Sequence, residues 1–185
     1  MRYVIADLEA TCWENVRHSP RMETIEIGAV RLASAVGPAD GEFSEFVRPI
    51  ASPKLSPFCI SLTSIRQEDV DSVEYFWSVF PRFVEWCGPE PFVFCSWGSY
   101  DLGQLRADCD RHGMAFPAAL ECHINLKKEF ARLRGEKVRG MARALKAAGL
   151  SLEGTHHRAI DDARNIARLA LLILSALETE GGVPD

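Results

Sequence analysis

Residues 3–10 constrain the fold more than any other stretch of the chain. Tyr3, Val4, Ile5, Ala6, Leu8 and Ala10 make a β-prone run suited to burial, interrupted at Asp7 and Glu9. Side chains alternate along a strand, so Ile5, Asp7 and Glu9 share one face while Val4, Ala6 and Leu8 share the other. Two neighbouring carboxylates in such a segment repel each other and lose hydration. Either the strand end lies in water, or cations or protonation relieve the cost.

The rest of the pattern predicts one α/β domain over residues 1–180 with a short tail at 181–185. A chain of 185 residues, 47% hydrophobic and 25% charged, is long enough to bury a core and too apolar for disorder. Strands are expected at 24–32 and 42–47, separated by the turn residues Gly37, Pro38, Asp40 and Gly41. The Pro-punctuated stretch 49–62 is expected to be a functional loop. Phe76, Val79, Phe80, Phe83, Val84 and Cys87 form a helical stripe ended by Gly88 and Pro89. A buried strand at 92–95 and a helix at 100–112, stopped by Gly113, follow. The remaining expectations are a strand at 121–126 and helices at 127–133, 138–148 and 160–178. Strands that begin as an antiparallel meander and later alternate with helices imply a mixed sheet covered by helices.

Composition narrows the setting. The longest purely apolar run, residues 169–174, is too short to span a bilayer, and Asp7 and Glu9 interrupt any signal-peptide core. Cys12, Cys59, Cys87, Cys95, Cys109 and Cys122 are scattered without a C-x-x-C pair, as expected of reduced thiols in a cytoplasmic protein. The formal charge is −5, yet Lys127, Lys128, Arg132, Arg134, Lys137, Arg139, Arg143 and Lys146 face only Glu129 and Glu136 within their stretch. That asymmetry fits either solvated helix faces or a phosphate-tracking surface.

Two further carboxylates stand out. Asp162 heads an apolar stripe with Ile166, Leu169, Ile173 and Leu177, so it faces the core and requires a partner. Asp161 steps instead to Asn165 and Arg168 on a polar face and suits a helix start. His157, five residues before Asp162, belongs at or just before the first helical turn, and His156 is expected to be an idle loop histidine. Asp101 follows the strand at 92–95, where it is either a helix N-cap or a ligand-binding carboxylate.

Together these features resemble the DEDDh 3′-to-5′ exonucleases, and more closely their Eri-type members, the histone-mRNA 3′ exonuclease and Snipper-like enzymes. The resemblance is carried by Asp7-Leu8-Glu9-Ala10-Thr11-Cys12, by Phe46-Val47-Arg48-Pro49 with the segment from Leu55 to Thr63, and by His157 through Asp162 with Asn165-Ile166-Ala167-Arg168. Tyr100 stands where some relatives have a tryptophan before the second-motif aspartate. The resemblance implies an RNase H-like five-stranded mixed sheet, antiparallel first and then parallel, with helices on both faces. It implies that Asp7, Glu9, Asp101 and Asp162 hold two divalent cations, Mg²⁺ or Mn²⁺, with His157 as general base. Substrate contacts would come from Ala10, Thr11, Leu62, Thr63 and Ile65, with Ile65 equally suited to the core; Trp97, which has no clear counterpart in the family pattern, and Tyr100 are placed beside a strand end, where they either stack on bases or simply pack. The implied partner is nucleic acid, RNA in preference to DNA, and no membrane. A DNA exonuclease and a non-catalytic nucleic-acid-binding module are the rival expectations, and oligomeric state is left open.

Overall fold

The computed structural model describes residues 1–16 and 19–181, so the expected tail beyond Gly181 lies outside the described residues. Five strands form one sheet: β1 (Arg2–Ala10), β2 (Thr24–Leu32), β3 (Ala39–Phe46), β4 (Phe92–Ser96) and β5 (His123–Asn125), in the order β3-β2-β1-β4-β5. β1–β2 and β2–β3 pair antiparallel, whereas β1–β4 and β4–β5 pair parallel. This is the expected mixed sheet, with its meander first.

Among the described residues seven α-helices accompany it: α1 (Pro57–Thr63), α2 (Gln67–Asp71), α3 (Phe76–Cys87), α4 (Tyr100–Arg111), α5 (Leu126–Arg134), α6 (Met141–Ala147) and α7 (Ala159–Thr179). Tyr3, Ile5, Val30, Leu32, Val93 and Cys95 point to one face of the sheet, where α5, α6 and α7 cover them. Val4, Ala6, Leu8, Ile27, Ala29 and Phe94 point to the other, against α3 and α4. The alternation in β1 therefore reads directly as two cores. The apolar stripe of α7, including Ile166, Leu169, Ile173 and Leu177, is buried along the first face. Burying each such side chain contributes roughly 1.5–3 kcal/mol. No described helix is long and apolar enough to cross a membrane.

The structure corrects several expected boundaries. The stretch 49–62 is not all loop. Ser56 caps α1 by accepting the Cys59 N–H, and Pro57 opens the helix with its φ already set. A seven-residue helix is too short to show periodicity, and the same holds for the five residues of α2. The strand expected at 121–126 shrinks to His123–Asn125, because the Asn125 side chain accepts the Lys128 N–H and starts α5. The helix expected at 138–148 begins only at Met141, since residues 138–140 remain extended toward Trp97, whose Nε1–H donates to the Arg139 carbonyl at 3.0 Å.

One glycine sets how closely α7 approaches the sheet. Gly28 lies on the α7 face of β2, opposite Asp7. A Cβ there would fall 2.1 Å from the Ala159 carbonyl carbon and 2.2 Å from the Ile160 nitrogen, both backbone atoms of the first turn of α7. Gly28→Ala must therefore push that turn outward, at an expected cost of about 1–3 kcal/mol. Gly103, inside α4 with nothing within 4 Å of its would-be Cβ, supplies the contrast. Gly103→Ala is expected to stabilise by roughly 0.5–1 kcal/mol. Urea titrations of both variants check this pair, and equal midpoints would refute the close-packing account.

Candidate active site

The site forms where the sheet splits. β1 pairs with β4 only as far as Ile5 opposite Cys95, while its pairing with β2 continues to Ala10. The carboxyl end of β4 thus leaves a gap beside Asp7 and Glu9, the position at which α/β sheets take up ligands. α4 turns into this gap. Asp101, in its first turn and buried, accepts the Leu8 N–H on Oδ1 at 3.2 Å, replacing the strand partner that β4 no longer supplies.

α7 delivers the remaining groups from the opposite side. Asp162, buried in its first turn, has carboxylate oxygens within 4.8 Å of those of Asp7 and Glu9. Asp101 stands outside that trio but lines the same cleft and bears on Asp7 electrostatically. His157 precedes α7 in the left-handed conformation, φ +64°, so that its backbone N–H donates to Asp162 Oδ2 at 3.0 Å while its Nδ1 lies 4.0 Å from Glu9 Oε1. The helix stripe read from the sequence is what points Asp162 inward.

The first turn of α7 is held in place by groups that sequence reasoning passed over. Glu26, directly opposite Glu9 on β2 and 1% exposed, receives two hydrogen bonds from the Arg158 guanidinium, at 2.9 and 3.1 Å, and the Ala159 N–H at 3.0 Å. A carboxylate at a helix N-terminus is favoured by the free N–H groups there. Glu26 is therefore committed to Arg158 and α7. Asn165, expected on a polar surface, is fully buried. Its amide bonds both the N–H and the carbonyl of Glu153, and Arg168 reaches the Ser151 carbonyl at 2.8 Å. These two side chains staple the segment carrying His157 to α7. His156, expected to be idle, is placed with its Nδ1 2.9 Å from Asp162 Oδ2 and its ring stacked on that of His157 at 4.0 Å. The Gly28 gap in an otherwise bulky strand and the Glu26–Arg158 charge pair were the available signals, but neither has a local spacing that joins it to the site.

The cleft has a volume of about 380 Å³, and its described lining includes no Lys or Arg. Ala10, Leu62, Trp97 and Tyr100 line it as expected. Three of the expected substrate contacts do not reach it. Thr11 is turned toward the segment before β2, its hydroxyl accepting the Glu23 N–H at 3.0 Å. Thr63 is fully buried between the Cys59 carbonyl and the Ile65 N–H, and Ile65 belongs to a small core with Ile25, Leu55 and Val70. The α1 helix presents Leu62 outward, and the left-handed Ser64 that ends it sends Ile65 back inside.

Electrostatics follow from crowding. Burial, then the neighbouring acids, holds the Asp7 carboxyl well above its usual range, and the same causes push Glu9 up to about 9. Burial raises Asp101 to about 6 and also raises Asp162, against the pull of hydrogen bonds to its carboxylate from His157 and His156. Burial and the adjacent His156 lower His157, so its imidazole is neutral at pH 7. Clustered hard oxygen donors with a shared deficit of positive charge fit divalent cations of the Mg²⁺ class. In the metal-free folded protein Glu9 stays protonated while the unfolded chain ionises, so stability is expected to fall as pH climbs from about 4.5 toward 9. A divalent cation held by these oxygens would remove this penalty because it favours the ionised form. Melting temperatures measured with EDTA and with Mg²⁺ across that range check the sign, and parallel curves would refute it.

Comparison with known proteins agrees with this geometry. Residues 4–170 match the family model described as Exonuclease, RNase_T. The chain is 31% identical to human ERI1 exoribonuclease 2, with 90% of this chain and 27% of that protein aligned. It is 32% identical to the Drosophila melanogaster 3′-5′ exonuclease Snipper, over 90% of this chain and 67% of that one. The chain thus spans about a quarter of the human relative and two thirds of the fly one. The nuclease domain of 3′hExo, a DEDDh family member solved bound to rAMP, superimposes with a TM-score of 0.86 at 27% identity, covering 99% of this chain and 94% of that one. The mixed sheet with its helices is the RNase H-like nuclease fold of that neighbour. Fold, split-sheet site and sequence match together make this chain a member of the exonuclease family, of the DEDDh kind.

Proposed function

We propose that the chain is a metal-dependent 3′-to-5′ exonuclease acting on RNA, releasing nucleoside 5′-monophosphates from single-stranded or short 3′ ends. The observation that carries this reading is the meeting of Asp7, Glu9, Asp101, Asp162 and His157 on one cleft from three separate elements. Asp7, Glu9, Asp101 and Asp162 would hold two divalent cations, Mg²⁺ or Mn²⁺. When bound, such ions supply Lewis acidity on both sides of an in-line displacement at phosphorus. His157 offers an unprotonated ring nitrogen to the attacking water and takes its proton as the phosphorus–3′-oxygen bond breaks. The neutral imidazole suits this role because a protonated one has no lone pair to offer.

The chain also grips the strand end. Leu62, Trp97 and Tyr100 surround the cleft with apolar and aromatic surface, and base stacking on such faces is tolerant of sequence. The RNA preference is supported by the exoribonuclease name of the human relative and by the rAMP bound to 3′hExo. The basic stretch flanks the same opening, since Gly140 and Met141 line the cleft. Arg132, Arg134 and Arg139 are neutralised by Glu129, Glu136 and Glu180, whereas Lys127, Lys128, Lys137, Arg143 and Lys146 have no ion-pair partner among the described residues. Of these, Lys137 and Arg143 flank Gly140 and Met141 in the chain and are the ones placed to meet phosphates of the strand upstream of its 3′ end.

A timed digest of 3′-labelled and 5′-labelled RNA and DNA oligonucleotides, with and without EDTA, tests the assignment. Mononucleotides released from the 3′ end, faster on RNA and abolished by EDTA, are expected. Asp162→Asn is expected to lower turnover at least a thousandfold while retaining the fold by circular dichroism, and full turnover in that variant would remove the metal-cage assignment. Faster release from DNA would make the chain a DNA exonuclease instead. Replacing Lys137 and Arg143 by Glu is expected to raise KM for oligonucleotides and to flatten the salt dependence of binding by roughly 0.7 per charge removed. An unchanged salt slope would show that the basic stretch lies off the strand path.

A further inference from the structure

Two cysteines meet at the rim of the cleft. Cys12 lies just beyond β1, lines the cleft and is partly exposed, whereas Cys59, in the middle of α1, is buried. Ser56 ties their backbones together: its hydroxyl donates to the Cys12 carbonyl at 2.6 Å and accepts the Cys59 N–H at 3.0 Å. Cys59 Sγ lies 3.7 Å from the Ala10 carbonyl oxygen, and Cys12 packs on the small core that contains Cys59. The Cys12 thiol lies beside the Cys59 sulfur; this contact pulls the Cys59 thiol down to about 7, while the same contact and burial hold the Cys12 thiol far above its usual range. Cys87, Cys95 and Cys109 are buried elsewhere, and Cys122 is exposed.

We propose that Cys12 and Cys59 are a reversible oxidation site, at which a hydroperoxide converts the two thiols to a disulfide joining the end of β1 to α1. The chemistry balances. The ionised Cys59 sulfur takes the Cys12 proton, and the Cys12 thiolate so formed, open to the cleft, attacks one peroxide oxygen; the O–O bond breaks, leaving a sulfenic acid and a hydroxide that takes up the proton Cys59 had released to become water. The Cys59 sulfur then attacks the Cys12 sulfur, the S–O bond breaks, and the departing hydroxide takes the Cys59 proton to become a second water. Two thiols and one hydrogen peroxide thus give one disulfide and two waters, the two sulfurs losing the two electrons that the peroxide gains. The linkage matters because of where it pulls. A disulfide holds its sulfurs about 2 Å apart, closer than any non-bonded contact, so closure draws α1 and the end of β1 together. Leu62, three residues after Cys59 on α1, is a wall of the cleft and moves with the helix. A shift on the order of 1 Å in a positioning contact is enough to weaken the hold on a substrate markedly.

The inference about substrate rests on the exonuclease reading, while the linkage itself does not. The test uses the full chain carrying Cys122→Ser, reduced, then treated with hydrogen peroxide and mapped by mass spectrometry without reductant. A peptide linking Cys12 to Cys59 is expected, together with a rise of at least fivefold in KM for an RNA oligonucleotide that dithiothreitol reverses. Cys59→Ala, compared with its own untreated KM, should not respond to peroxide. Should that variant fail to fold, Cys12→Ser compared in the same way serves instead. The absence of the linked peptide, a linked protein with unchanged KM, or an equal response in the cysteine variant would overturn the proposal. An inactive reduced protein that nevertheless forms the linkage would overturn the exonuclease reading and leave the oxidation site standing.

Discussion

Carboxylates that repel each other are held together here by the packing of a helix on a sheet. Asp7, Glu9 and Asp162 bring oxygens within 4.8 Å of one another in a buried setting where like charges interact strongly. Nothing in the trio itself favours that arrangement. It persists because α7 is clamped to β2 independently of the acids, by the apolar stripe from Ile166 to Leu177, by the close approach over Gly28, and by the Glu26–Arg158 pair. The charge deficit that results is the property of the site that draws cations.

The helix clamp also explains how a fifth buried acid is kept out of the cage. Glu26 sits directly opposite Glu9 in the β1–β2 ladder, near enough to raise its neighbour's affinity for a proton. The Arg158 fork and the Ala159 N–H occupy both of its oxygens. Five acids thus divide between two tasks through hydrogen bonding: Glu26 fixes geometry, and Asp7, Glu9, Asp101 and Asp162 face the cleft. The same division appears among the polar residues of α7, where Asn165 and Arg168 hold the preceding segment so that His157 stays beside Glu9.

The opposite wall is built differently. α1 owes its place to a small satellite core of Ile25, Leu55, Cys59, Ile65 and Val70 and to the Ser56 cap, instead of to the main sheet packing. Elements with little buried surface open and shift at lower cost than the sheet does. The rigid side of the cleft therefore carries the acids, where a small displacement matters most to chemistry, and the lighter side carries Leu62 and the thiol pair.

Much of this was legible in one dimension. Alternation in residues 3–10 separated Asp7 and Glu9 from Val4, Ala6 and Leu8, and the three-and-four spacing after Asp162 pointed that residue inward, because strand and helix periods are local properties of the backbone. Helix α3 and strand β2 were readable to the residue for the same reason. What the sequence could not decide was which polar groups meet. His156 looked idle and Asn165 looked like surface, while Thr63 and Ile65 looked available to substrate. Thr63 bonds within its own turn, but the other readings turned on neighbours more than a turn away along the chain or on another element. The amino-acid order determined which side chains each strand and helix would present to its faces. Only the tertiary structure decided that β1 would outrun β4, that α7 would settle on Gly28, and hence that acids separated by some 150 residues would share one cleft, since those outcomes depend on packing between elements that no local period encodes.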